Sequence, residues 1–283
     1  MKTFHAEVAS DESYGLGEGP LWDGVRERVL WVDINAGKVH SGLLRDGRVV
    51  ASELASFAET VGAVVCAEDG ELLVAGQREL WRVAPDGSKT RDVRLIPDEK
   101  ESRLNDGACD PAGRFLVGSM ALDGRAGEEV LVRVGDSVVI DNDLTLSNGL
   151  AWTPGGDRMY SIDTEPGVIW IRDYDPFGVS FGAREEFLRV SDGSPDGCCV
   201  DVDGNLWLAV WSAGEVRCFS PSGEPLAIVE VAAPNTTSVA FVGPALDTLL
   251  ITTARSEGSP DSGKLFSCDV GTTGLPVPAW SRV

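Results

Sequence analysis

A short apolar run led in by a turn recurs six times along the chain: RERVLWVDI, DGELLVAG, AGRFLVGSM, GDRMYSID, DGNLWLAV and LDTLLITT. One matching apolar position in each is Leu30, Leu72, Phe115, Met159, Leu206 and Leu249, at spacings of 42, 43, 44, 47 and 43 residues. A period in the forties with strand patterning is the mark of a four-stranded propeller blade. Each repeat continues through a turn into a second strand with a polar/apolar beat, among them RELWRVAPDG, GVIWIRDYD and GEVRCFSPSG. Ahead of each apolar run sits a further short run rich in small residues, such as GAVVCAEDG, GACDPAG and GCCVDVDG. Small side chains suit innermost strands, because six of them must approach one axis.

The pattern therefore predicts an all-β fold, a six-bladed β-propeller with four-stranded antiparallel blades around a central channel. It covers residues 1–283 as a single domain, with no long amphipathic helix and no linker longer than Asp98–Ser102. A circular array must close, and the N-terminal stretch TFHAEVAS is expected to join the last blade.

Composition narrows the function. With 45 Asp and Glu against 24 Lys and Arg, the formal charge of -21 repels phosphate backbones and anionic lipid, so no nucleic-acid or membrane partner is expected. The N-terminus shows no apolar signal segment and no run is long enough to cross a bilayer, so a cytoplasmic location is expected, as a monomer or weak homo-oligomer. The six cysteines contain no CxxC pair and read as small buried hydrophobes. Only two histidines, His5 and His40, are present, which excludes HExxH zinc sites and Ser-His-Asp chemistry.

Aligning the repeats at the start of each innermost strand brings out a polar set: Glu18 in GEGPLWD, Asn105 in LNDGACD, Asn148 in SNGLAW and Asp196 in PDGCCV. The other two repeats offer Val61 and Thr237. Asn-Gly and Asp-Gly are also ordinary turn formers, and each residue alone has a structural explanation. Four at equivalent positions converge on one end of the channel, where buried like charges need compensation. One divalent metal ion is the simplest compensation. All-oxygen ligands favour Ca, Mg or Mn, with Zn and Fe left open. Arg103 lies two residues before Asn105, so on an extended segment the two side chains share a face. Asp106 is a candidate to orient Asn105.

These residues resemble the regucalcin (senescence marker protein)/gluconolactonase family. The likeness is carried, in order, by GLGEGPLWD, SRLNDGACDPAGRFLVGSM, LSNGLAW, SPDGCCVDVDGNLWLAVW and TTSVAF, and extends to Arg255. The resemblance implies that Glu18, Asn148 and Asp196 hold the divalent metal and that Arg103 and Asn105 contact substrate. It also implies that an acidic residue after the GSM string touches sugar hydroxyls; the nearest match is Asp123, with a shorter side chain than the Glu of relatives. The implied activity is hydrolysis of a sugar lactone, an aldonolactone such as gluconolactone or a pentonolactone, to the aldonic acid. Asp196 is the candidate general base and no Ser or Cys nucleophile is required. Two alternatives stand beside this reading: a phosphotriesterase or aryl-esterase on the same scaffold, and a non-catalytic calcium-binding propeller.

Overall fold

The computed structural model describes residues 1–178 and 180–282. Six sheets are arranged in a ring, each a blade of four antiparallel strands, and one blade carries a fifth strand. The innermost strands are Gly17–Asp23, Ala63–Cys66, Ser102–Cys109, Ser147–Trp152, Ser194–Val200 and Thr236–Val242. The strands next to them are Arg28–Asp33, Leu72–Ala75, Phe115–Ala121, Arg158–Asp163, Leu206–Trp211 and Thr248–Thr253. Each of these second strands contains one of the six repeated apolar positions of the sequence.

The burial pattern explains why the second strands read as unbroken apolar runs. A blade packs against a neighbour on both faces, so Val29–Asp33 and Leu72–Ala75 are buried at every position. The core is accordingly a set of wedges between blades. Leu30, Val32 and Val39 of the first blade pack on Val64, Leu72 and Val74 of the second. The outer strand Lys89–Arg94, KTRDVR, is exposed throughout, and its charges protect an open sheet edge.

Ring closure differs from the expectation. The N-terminal stretch serves two blades rather than one. Lys2–His5 pairs in parallel with Pro225–Glu230, the outer strand of the fifth blade. Glu7–Val8 then crosses to the sixth blade and pairs antiparallel with Phe266–Cys268, supplying its fourth strand. No helix among the described residues is long and apolar enough to cross a membrane.

Candidate active site

The innermost strands share a defect that decides where their polar side chains go. In five of the six, the ladder to the second strand slips by one residue near the start: between Glu18 and Leu21, Leu104 and Gly107, Asn148 and Leu150, Pro195 and Cys198, and Thr236 and Ser238. Each slip is a β-bulge, which breaks the strict alternation of faces and re-aims a side chain. Glu18, Asn105, Asn148, Asp196 and Thr237 all sit at these bulges, each no more than 6% exposed. The strand that carries no such slip, Ala63–Cys66, is preceded by apolar Val61 and contributes no polar group.

The loops leading to two of these residues are held the same way. Asp33 accepts hydrogen bonds from the backbone N–H groups of Gly15 and Leu16, at 2.9 and 3.1 Å. Asp163 accepts from Thr145 and Leu146, at 3.1 and 3.0 Å. Asp33 and Asp163 end the second strands of their blades, fifteen residues after Glu18 and Asn148 respectively. Two buried carboxylates at equivalent places thus fix the strands that present Glu18 and Asn148.

Bonds between blades lock the rim. Asn105 Nδ2 donates to the Ser147 carbonyl (2.9 Å), Thr164 Oγ1 to the Pro195 carbonyl (2.8 Å), and Thr237 Oγ1 to the Gly17 carbonyl (2.5 Å). Arg103 Nη1 donates to Asn105 Oδ1 (2.7 Å) and to the Leu104 carbonyl (3.0 Å), so the two candidate substrate contacts are joined to each other. Asp106 accepts from its neighbour Gly107 N–H at 2.7 Å and leaves Asn105 to the Ser147 carbonyl and Arg103.

Charge is concentrated here without an adequate partner. Burial pushes the Glu18 carboxyl well above the usual range, and the charges of Asp196 and Asp106 push it further. Asp196 is likewise raised by burial and then by Asp106, with the Asn148 amide and Arg103 pulling the other way. Asp106 is pushed up to about 6 by burial. Burial lowers the Arg103 guanidinium to about 10, against the pull of Glu18 and Asp196. One desolvated guanidinium faces two buried carboxylates, and Asp106 adds its charge to theirs.

The donor set fits a hard cation. Asn148 Oδ1 and Asp196 Oδ1 are both buried and have no hydrogen-bond partner. Leaving two such acceptors unsatisfied is costly unless something positive sits against them. Among the described residues no three His, Cys, Asp or Glu side chains form a metal-binding group. The Asn148 amide oxygen with the Glu18 and Asp196 carboxylates would make an all-oxygen donor set, and such oxygens are ligands for hard divalent ions.

Asp123 lies on the loop after Phe115–Ala121. Its exposed carboxylate accepts from Arg125 Nη1 at 2.6 Å. Behind it is an unanticipated buried acid, Glu129, which accepts from Ser119 Oγ (2.5 Å), Ser102 Oγ (2.8 Å) and Arg125 Nη2 (2.9 Å). Glu129 thereby ties the strand that carries Arg103 to the loop that carries Asp123. Arg255 donates to Ser13 on the surface.

A cavity of about 550 Å³ occupies the other half of the channel. Its walls come from later positions on the innermost strands, including Leu21, Val64, Leu150, Cys198 and Val239, with Asp106 at the boundary. It is mostly apolar and lies past the bulges, on the side away from Arg103.

The sequence model described as SMP-30/Gluconolactonase/LRE-like region matches residues 16–255. The chain belongs to that family. Members similar to it include the pentonolactonase XacC of Haloferax volcanii, 32% identical with 94% of each chain covered. The 6-deoxy-6-sulfogluconolactonase of Pseudomonas putida is 35% identical, covering 94% of this chain and 95% of that one. Among solved SMP-30/gluconolactonase-like structures, a calcium-binding regucalcin from Agrobacterium tumefaciens superimposes with a TM-score of 0.91 at 25% identity, over 99% of both chains.

Proposed function

We propose that this chain hydrolyses a sugar aldonolactone to the aldonic acid at the bulge-lined end of the channel, with one divalent cation held by Glu18, Asn148 and Asp196. Lactone hydrolysis is the activity named for its relatives, and the chain is a lactone-hydrolysing enzyme. The observation that carries the metal reading is the pair of buried, unpartnered acceptors, Asn148 Oδ1 and Asp196 Oδ1, beside the Glu18 carboxylate.

A cation bound there would supply Lewis-acid polarisation of the lactone carbonyl and charge to offset its developing oxyanion. Glu18 and Asp196, whose charged forms burial disfavours, would hold that cation with the Asn148 amide oxygen and be held ionised by it. Asp196 accepts the proton of the attacking water at a carboxylate oxygen, as the water oxygen bonds to the carbonyl carbon. Collapse of the tetrahedral adduct breaks the ring C–O bond, and Asp196 returns the proton to the departing alkoxide. Arg103, steadied by Asn105, keeps N–H groups for substrate oxygens and orients the ring. Asp123 offers a further acceptor for a sugar hydroxyl from the loop above.

The test is a hydrolysis panel of gluconolactone, galactonolactone, xylonolactone and arabinonolactone beside paraoxon-type esters, corrected for spontaneous opening. Purified protein is stripped with a chelator and reloaded separately with Ca, Mg, Mn, Zn or Fe. Lactone turnover should vanish on stripping and return with at least one ion. Turnover no faster than the spontaneous rate with every ion would reject the proposal, and preference for the esters would transfer it to the apolar cavity.

A further inference from the structure

Thr164 follows the second strand of the fourth blade and makes two hydrogen bonds through one hydroxyl. Its Oγ1 donates to the Pro195 carbonyl at 2.8 Å, one residue before Asp196. It also lies 3.1 Å from the side-chain nitrogen of Asn148. A hydroxyl has one hydrogen. With that hydrogen committed to Pro195, Oγ1 can only accept from Asn148. The amide must then present N–H to Thr164, which leaves Oδ1 as the atom without a partner. Reversing the amide would set two lone-pair oxygens against each other. The orientation of Asn148 therefore follows from hydrogen counting on Thr164.

We propose that Thr164 is a positioning residue for the axial site: it turns the Asn148 oxygen toward the cation and ties that amide to the strand of Asp196. The proposal rests on the metal reading above. Thr164 is predicted to touch neither substrate nor cation, and to act through Asn148. Groups of this kind behind a metal ligand are worth about 10–100-fold in metal affinity or activity.

The experiment measures Mn²⁺ affinity by calorimetry for the full chain, with kcat, KM and the melting temperature of stripped protein alongside. Thr164→Val should weaken Mn²⁺ binding by about 10–100-fold, lower kcat more than it raises KM, and leave the stripped protein folded. Thr164→Ser, which restores a hydroxyl with the same donor and acceptor capacity, should recover most of the affinity lost in Thr164→Val. In an Asn148→Ala background, Thr164→Val should have no further effect on affinity. A merely structural Thr164 would act equally in both backgrounds, and that result, or wild-type affinity in Thr164→Val, would overturn the proposal. Thr164→Ala reads the same quantities if the valine variant does not fold. If the wild-type chain itself binds none of Mn²⁺, Ca²⁺, Mg²⁺, Zn²⁺ or Fe²⁺, the metal reading fails, and Thr164 with it.

Discussion

A Cβ on Gly149 would lie 2.7 Å from the carbonyl oxygen of Asp196. The strand that presents Asn148 is pressed against the strand that presents Asp196, and glycine is what allows it. The same added carbon would meet Ile162 Cδ1 at 2.7 Å and Cys198 Sγ at 2.9 Å. Gly149→Ala should therefore push the two blades apart at the site. Overpacking of this kind costs about 1–3 kcal/mol, and the displaced oxygens should cost activity out of proportion to it. Melting temperature and lactone turnover, measured on one preparation, check the pair of effects.

Asp196→Asn separates stability from catalysis. Burial and Asp106 disfavour the charge on Asp196, so removing it should raise the melting temperature of metal-free protein. Turnover should fall by about 10²–10⁴, the contribution of a positioned general base. A variant that melts higher and still hydrolyses lactone at the wild-type rate would remove Asp196 from its role.

Asp106 gives the metal-free protein a pH dependence of definite sign. Its carboxyl titrates near 3.8 when exposed and at about 6 in the fold. Between those values the native state holds more protons than the unfolded state, so stability falls as pH rises from about 4 to about 6. Asp106→Asn lacks this proton. Urea titrations of stripped protein should show the variant gaining on wild type across that window by something on the order of 2 kcal/mol, and a constant difference would contradict the assignment.

Metal binding should reverse the cost of burying these acids. At an ion concentration of 100 times Kd, a ligand specific to the native state adds about 2.7 kcal/mol. The melting temperature should climb with concentration of the catalytically active ion and fall back on chelation. In Asn148→Ala, which loses one oxygen, the same titration should shift to higher concentration.

The ring was legible because its apolar period is long-range and regular. Leu30, Leu72, Phe115, Met159, Leu206 and Leu249 all fall on second strands, the ones buried on both faces, where composition is most constrained. The polar set at the rim was legible for the same reason, as departures from that repeat. The bulges were not. A one-residue slip in pairing looks, in a single sequence, like a turn of different length, and only the register shows that Asn105 and Asp196 sit on it. Glu129 was hidden too, because its partners Ser102, Ser119 and Arg125 come from three separate segments. The string SRLNDGACDPAGRFLVGSM proved to serve two ends of one strand. Its first half holds Arg103 and Asn105, while Asp110 at the far end pins a turn, accepting from Ala112 and Arg114 backbone N–H groups and from Tyr174.

The divided N-terminus sets a timetable for synthesis. Lys2 pairs beside Ala227 and Glu7 opposite Ser267, so these residues leave the ribosome more than two hundred positions ahead of their partners. Blades one to five draw their four strands from contiguous chain, whereas the sixth takes its fourth strand from Glu7–Val8 and closes last. Until Glu7–Val8 docks, Phe266–Cys268 is an unpaired sheet edge of the kind to which other chains can add.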